Sequence, residues 1–207
     1  VGITPGLQQA GNALKAYQSA RRAGRSHEQA LDSAKVFASF SGPMRANLVA
    51  MLDFIGIADL LSIDSCSELF AGRSDLVHFT SALRYPVTRH GRNYTGTPQI
   101  IANEYTRRDL EEWFTQEAAT LKKALFVPLG PSVTGALMML ASRGILDPAK
   151  VLAGLPHPSR SNGERIAYFL QRKSRHALSR QVDPDRFDAA RVALMRQVST
   201  LRSAGAV

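Results

Sequence analysis

The chain has 207 residues, a formal net charge of +9 at pH 7, and a composition that is 44% hydrophobic and 21% charged. This length suits a single domain with a sizeable core, and the composition is ordinary for a soluble globular protein. One cysteine, Cys66, excludes an intramolecular disulfide framework and a cysteine-based zinc site within the chain. The positive charge favours a polyanionic partner, most commonly nucleic acid, although a solubilising surface would also explain it.

No apolar run is long enough to span a bilayer, and no signal peptide is visible. No helix pattern combines a broad Trp/Phe/Leu face with a lysine-rich face, as a helix lying on a membrane surface would. Together with the single cysteine, these features favour a cytoplasmic protein that makes no membrane contact. We also expect a monomer. Because Val1 directly precedes a predicted loop, where a strand is expected, we also expect further residues upstream in the natural protein.

Helical spacing of apolar residues and local capping patterns predict several helices. Ser26 with Gln29 forms a capping-box pattern, and Pro43 suits a first helical turn. Thr106 and Asp183 are predicted to cap two later helices. The predicted helices cover residues 7–39 as a pair, 43–56, 106–121, 132–143, 164–172 and 183–203.

Short apolar runs at residues 76–80, 125–129 and 151–155 predict buried strands. Residues 59–74 predict a connection with a short turn. Residues 81–98 predict a long irregular loop, and such loops often carry function. Strands that alternate with helices indicate a parallel sheet covered on both faces.

Two short polar segments are predicted to leave the ends of strands. One is Gly2-Ile3-Thr4-Pro5-Gly6, and the other is His157-Pro158-Ser159-Arg160-Ser161-Asn162. In an open α/β sheet such loops form the ligand crevice. They resemble the G-x-x-P-G and H-P-S motifs of the uracil-DNA glycosylase superfamily, and the chain is similar to a divergent bacterial member.

Three further segments extend this resemblance. Phe40-Ser41-Gly42 is similar to the relatives' segment whose Phe stacks on the flipped base. The run from Phe79 to Pro86 is similar to their strand end that reads the base. The step from Leu125 to Leu137 is similar to their strand-to-helix turn.

The resemblance implies a three-layer α/β/α sandwich around a short, mainly parallel four-stranded sheet. It implies a single domain over residues 1–207, with a helical insertion at 7–39 and a C-terminal helical extension at 183–203. The implied activity is that of a monofunctional DNA glycosylase in base-excision repair, which needs neither metal nor cofactor. Such an enzyme flips a deaminated or damaged base, uracil or a related one, from single- or double-stranded DNA and hydrolyses its N-glycosidic bond.

The resemblance assigns two catalytic residues. His157 would donate a hydrogen bond to the departing anionic base, as oxyanion-hole donors do; alternatively it bonds local backbone. Thr4 would hold the attacking water, or its hydroxyl would simply bond backbone in a tight turn. Ile3 and Thr4 occupy the positions where relatives keep a carboxylate or an Asn, so neither familiar position carries one here.

Base binding is assigned to Phe40, Ser81, Gly2 and Ile3. Phe40 would stack on the flipped base, or else act as a hydrophobic staple for the next helix. Ser81 replaces an Asn that reads uracil in relatives, and a hydroxyl cannot reproduce a bidentate amide. We therefore expect the pocket to accept a base other than uracil, or a larger one.

The remaining assigned residues would contact DNA or its phosphates, with Arg160 also a candidate wedge for the gap in the base stack. A solvated polar surface is the alternative for these positions. They are Gly6, Gly42, Arg84, Ser159, Arg160, Ser161 and Asn162.

Two other functions remain open. The chain could be a non-catalytic nucleic-acid-binding module that keeps the pocket, since positions 3, 4 and 81 depart from the family pattern. It could also be a small-molecule enzyme on a similar fold, although no G-x-G-x-x-G phosphate fingerprint supports that function.

Overall fold

The computed structural model describes residues 1–40 and 42–205. Helical residues, counting α-, 3-10 and π-helices, make up 59% of the chain. A two-stranded ribbon, β1 and β2, lies between the fourth and fifth helices. The helices are α1 Leu7–Arg22, α2 His27–Ala38, α3 Pro43–Phe54, α4 Ile57–Leu61, α5 Glu104–Asp109, α6 Thr115–Thr120, α7 Pro131–Ser142, α8 Gly163–Phe169 and α9 Pro184–Ser203; the strands are β1 Thr88–Arg89 and β2 Arg92–Asn93.

The prediction of a three-layer α/β/α sandwich with a four-stranded, mainly parallel sheet is wrong. Within the described residues the only sheet is the antiparallel pair of β1 and β2, in which Thr88 lies opposite Asn93. The predicted strands at 76–80, 125–129 and 151–155 do not form as strands. Residues in or next to these segments form two isolated parallel bridges, Gly2 with Ser81 and Phe126 with Val151.

Proline explains part of this difference, because it has no N–H to donate to a strand ladder. Pro128 interrupts the extended segment at 125–129, and Pro5 follows closely on the pairing made by Gly2. The extended segments still lie side by side through a few backbone hydrogen bonds. Gly2 N–H donates to Thr80 O at 2.8 Å, and Leu152 N–H donates to Phe126 O at 2.8 Å.

Most predicted helices are confirmed, and so are several of the residues predicted to begin or end them. The Ser26 hydroxyl accepts from Gln29 N–H at 3.2 Å, and Pro43 occupies the first turn of α3. Asp183 caps α9 by accepting from Arg186 N–H at 3.1 Å. Gly56, with φ +88°, follows the end of α3 in the left-handed region.

Three local predictions are wrong. The helix expected to start at Thr106 starts at Glu104, because Asn103 caps it by accepting from Tyr105 N–H at 2.9 Å. It continues through a π-helical turn at Leu110–Phe114 into α6. Helix α4 extends into the stretch predicted as a connection with a short turn, and the β1–β2 hairpin lies in the stretch predicted as irregular.

The buried residues form two apolar clusters on either side of the extended segments. Met51, Leu152 and Phe169 belong to the first, which α3, α4, α8 and α9 enclose. Phe126 and Val151 belong to the second, with residues of the π-helical turn, α6 and α7. Neighbours such as Val151 and Leu152 point to opposite clusters, as expected for extended backbone. In the described part of the chain, no helix has the length and apolarity needed to cross a membrane.

Candidate functional site

A cleft of about 1150 Å³ opens where the extended segments end. Its walls come from α1 and α2, from the segments around Ser81 and Thr95, from the start of α7, and from the loop at His157. The structure brings most of the predicted site residues together here. Those that line the cleft are Gly2, Ile3, Thr4, Gly6, Phe40, Ser81, Arg84, His157, Ser159, Ser161 and Asn162.

Two predicted residues do not line this cleft. Gly42 borders a separate, shallow depression beside Arg45. Arg160 is exposed on the turn after Ser159 and is not part of the cleft wall. Ser41, in the predicted stacking segment, lies outside the described residues.

The loop that carries His157 is held closely against the start of α7. Gly130 precedes that helix with φ +89°, and a β-carbon there would lie 3.1 Å from His157 Cβ. Only glycine combines that backbone conformation with so close an approach. From the other side, Asn47 Nδ2 of α3 donates to Pro158 O at 2.9 Å. The imidazole is therefore positioned by two helices.

The hydrogen bonding of His157 determines which ring nitrogen carries the proton. Ser159 N–H donates to His157 Nδ1 at 3.3 Å. Burial lowers the pKa of His157, which favours the neutral ring. A neutral imidazole that accepts at Nδ1 carries its proton on Nε2 and can donate from there. The structure thus places a neutral hydrogen-bond donor in the cleft wall.

Phe40 lies beside Gly2 and Ser81. A β-carbon added to Gly2 would lie 3.4 Å from Ser81 Oγ and 3.7 Å from two ring carbons of Phe40. Phe40 itself has φ +50° and is 9% exposed. A bulky residue rarely adopts this left-handed conformation, and such strain concentrates at functional sites.

The Thr4 hydroxyl is engaged with backbone. It donates to Tyr85 O at 2.7 Å and accepts from Val87 N–H at 2.9 Å. Its proton is therefore committed, and one acceptor lone pair remains for a water. This is the backbone role that the sequence left open, and it ties the loop at 2–6 to the segment leading into β1.

Sequence reasoning missed a polar cluster on the same wall, formed by Glu117, His78, Thr80 and Lys35. Glu117 Oε1 accepts from His78 Nε2 at 2.5 Å, and Glu117 Oε2 accepts from Thr80 Oγ1 at 2.8 Å. Lys35 Nζ of α2 lies 3.4 Å from His78 Nε2. Glu117, Thr80 and Lys35 line the cleft. Glu117 follows the buried Phe114 by three positions, so it lies beside the apolar stripe of its helix. A carboxylate at that position is the feature of the sequence that could have indicated a site.

The residues after His157 bond to one another. Ser159 Oγ lies 2.9 Å from Ser161 Oγ, and Asn162 Nδ2 donates to Ser159 Oγ at 2.9 Å. Asn162 Oδ1 accepts from Arg165 Nη1 at 3.0 Å. Arg165 also lines the cleft, so a guanidinium stands beside these hydroxyl and amide groups. Donors of this kind suit a phosphate oxygen.

Tyr85 stands at the cleft near Arg84, with Trp113 packed beside both residues. The Arg84 guanidinium lies over the Trp113 ring at 5.3 Å, and Tyr85 meets that ring edge-on at 6.2 Å between centroids. Tyr85 lines the cleft and is 56% exposed. We call Arg84, Tyr85 and Trp113 the aromatic rim.

Three of the sequence segments that contribute to the cleft wall contain no acidic residue. Residues 1–27, 76–103 and 148–163 contain no Asp or Glu. Among the described residues that line the cleft, Glu117 and Asp183 are the acidic ones, against Lys35, Arg84, Arg165 and Arg186. This distribution favours an anionic ligand. No group of three or more His, Cys, Asp or Glu side chains in the described ranges could hold a metal ion.

Comparison with known proteins identifies a relative. The uncharacterized protein YoxB of Bacillus subtilis (strain 168) is 35% identical over 184 residues, which cover 87% of this chain and 71% of that protein. No model of a known protein family matches the chain. No solved structure matches it either.

Proposed function

The chain belongs to the family of the Bacillus subtilis protein YoxB, and we propose that it is a DNA glycosylase. In this proposal it flips a deaminated or damaged base out of DNA and hydrolyses the N-glycosidic bond, as a monofunctional enzyme of cytoplasmic base-excision repair. The observation that supports it most is the joint presence of Phe40 and neutral His157 in one cleft.

Each of these residues has a defined task. The Phe40 ring lies against Gly2 and Ser81, where a flipped base would stack on it. His157 Nε2–H would donate to the oxygen of the base as negative charge develops there. A neutral donor suits this task, because its proton stays on nitrogen while the anion is stabilised.

The charge distribution supports DNA as the partner. A nucleic-acid strand entering the cleft would pass acid-free segments and meet Arg84 and Arg165. Ser159, Ser161 and Asn162 would contact a phosphate beside the flipped nucleotide. Phosphate contacts fix the position of DNA without reading its sequence.

The substrate class follows from the residue that would read the base edge. Ser81 offers one hydroxyl, which can make a single donated hydrogen bond. It would discriminate poorly between uracil and other deaminated bases such as hypoxanthine or xanthine. We therefore propose a deaminated base as the substrate and no strict selectivity for uracil.

A non-catalytic nucleic-acid-binding module is the second candidate. The Thr4 hydroxyl favours this candidate, because it is already bonded to Tyr85 O and Val87 N–H. It has no proton left to donate, and a threonine hydroxyl is too weak a base to activate a water. Such a module would bind DNA with an affinity that falls steeply with salt.

Base release from labelled oligonucleotides distinguishes the two candidates. Single- and double-stranded substrates would carry uracil, hypoxanthine, xanthine or a mismatched thymine. We expect release of at least one base, and a rate roughly 10²–10³-fold lower in His157→Ala with DNA affinity retained. His176→Ala is the matched control, since His176 is exposed and outside the cleft wall. Absence of release at stoichiometric protein, with salt-sensitive binding, would establish the binding module instead.

A further inference from the structure

We infer that Glu117 activates the water that attacks the sugar, an inference that rests on the glycosylase activity proposed above. Hydrolysis of a glycosidic bond needs a group that takes a proton from water as the bond to carbon forms. Neither Ile3 nor Thr4 provides one. Glu117 brings a carboxylate into the same cleft from α6.

The Glu117 carboxylate is anchored to the backbone segment that pairs with Gly2. Thr80 Oγ1 donates to Glu117 Oε2 at 2.8 Å, while Thr80 O accepts from Gly2 N–H at 2.8 Å. Gly2 in turn faces Ser81 Oγ and the Phe40 ring. One residue, Thr80, therefore connects the carboxylate to the place where the base would stack.

The carboxylate keeps the capacity to bind a water. His78 and Thr80 donate to its two oxygens, whereas an ionised carboxylate offers about four lone-pair sites. The Glu117 side chain is 24% exposed, so solvent reaches it. Lys35 Nζ lies 3.4 Å from His78 Nε2, so a cationic side chain stands beside the pair formed by His78 and Glu117.

The other acidic residue of the described cleft wall has a different task. Asp183 Oδ1 accepts from Arg186 N–H at 3.1 Å and caps α9. A capping carboxylate is fixed at a helix terminus and stabilises that end of the helix. Glu117 lies within a helix and has no such role, which leaves it as the carboxylate able to serve chemistry.

The proposed hydrolysis breaks one bond to the sugar carbon C1′ and forms another. The bond between C1′ and the base nitrogen breaks, and its electron pair leaves with the base, whose oxygen accepts from His157 Nε2–H. The water oxygen forms a bond to C1′, and one water proton passes to Glu117. That proton later leaves to solvent or to the base anion, which regenerates the carboxylate. The negative charge of Glu117 also stabilises the positive charge that develops on the sugar.

The test compares Glu117→Gln with Glu112→Gln in single-turnover base release and in binding of the same oligonucleotide. Glu112 is exposed, lies on the same helical stretch and does not line the cleft. We expect Glu117→Gln to slow release roughly 10²–10⁴-fold with unchanged affinity, and Glu112→Gln to match the unaltered protein. Adding formate should partly restore release in Glu117→Ala, because formate replaces the missing carboxylate, and should not restore it in His157→Ala.

The outcomes separate this inference from the proposed function. Release by the unaltered protein that persists in Glu117→Gln would overturn the inference and leave the glycosylase standing. Release lost together with DNA affinity, or lost without rescue by formate, would assign Glu117 a structural or positioning role and also overturn it. Failure of the unaltered protein to release any base would overturn the proposed function, and the inference with it.

Discussion

The Thr4 hydroxyl donates a hydrogen bond to the backbone carbonyl of Tyr85 at 2.7 Å. The same oxygen accepts from Val87 N–H at 2.9 Å, so one side chain holds two backbone groups of the segment before β1. This contact joins the loop at 2–6, which lies beside the base site, to the aromatic rim. Thr4 therefore acts on the cleft by fixing the position of Tyr85.

Replacing Thr4 by Val tests this role. Val keeps the shape but leaves Tyr85 O and Val87 N–H without their partner, which should lower the free energy of unfolding by about 0.5–1.5 kcal/mol. Thr4→Ser keeps the hydroxyl and should lose less. Urea denaturation of the two variants measures the difference. Equal stabilities for both variants would show that the hydroxyl contributes nothing and would contradict the assigned role.

A second prediction concerns the close approach of Gly130 to His157. Gly130→Ala should both strain the backbone, since φ is +89°, and push the His157 loop away, since the new Cβ would lie 3.1 Å from His157 Cβ. We expect a loss of about 1–3 kcal/mol in the free energy of unfolding, because this combination of φ and ψ is accessible essentially to glycine alone, and a marked loss of base release.

Gly144 provides the matched control for this substitution. It also has a positive φ, +74°, but a β-carbon there would meet nothing within 4 Å. Gly144→Ala should also lose stability, because of its positive φ, and should keep base release. If both alanine variants release base equally well, the contact between Gly130 and His157 does not position the imidazole.

The third prediction follows from the lowered pKa of His157. Burial disfavours the charged ring, and protonation of Nδ1 would also remove the bond from Ser159 N–H. As the pH falls below about 6.5, the ordinary histidine pKa, the unfolded chain takes up a proton before the native chain does. The free energy of unfolding should therefore fall until the pH reaches the pKa of the folded state, and then level off.

Urea denaturation at a series of pH values between about 7 and 5 measures this effect. His157→Gln removes the titrating group, so its stability should fall less steeply over the same interval. Parallel curves for the unaltered protein and His157→Gln would mean that the ring is not held in its neutral form by the fold.

How far the sequence predicts this structure depends on the range of the interactions involved. Helix ends are local, so Ser26 and Asp183 were identified as caps from their immediate neighbours. Extended segments depend on distant partners, and the interruption at Pro128 left isolated bridges where a sheet was expected. The β1–β2 hairpin was missed because its turn, His90-Gly91 with both φ positive, lacks the common Asn-Gly or Asp-Gly signal.

The candidate site shows the same division. Gly2, Phe40, Ser81 and His157 were predicted from motifs and do line one cleft. Glu117 was missed because its proximity to Thr80 depends on how α6 packs against a segment 37 positions earlier in the chain. No spacing pattern in the sequence predicts that contact.

The last prediction concerns the aromatic rim, where an unpaired base beside the flipped one would meet Tyr85. Stacking on an aromatic side chain contributes about 1–3 kcal/mol per base, so Tyr85→Ala should weaken binding of a single-stranded oligonucleotide by that amount. Trp113 is the one tryptophan of the chain and meets the Tyr85 ring edge-on. Its fluorescence therefore reports directly on the rim.

We expect an oligonucleotide to quench Trp113 emission in the unaltered protein, with a midpoint that shifts to higher concentration in Tyr85→Ala. Tyr105→Ala is the control, because Tyr105 is 79% exposed but does not line the cleft. It should bind like the unaltered protein. A midpoint unchanged by Tyr85→Ala, or shifted equally by Tyr105→Ala, would show that the strand does not stack on the rim.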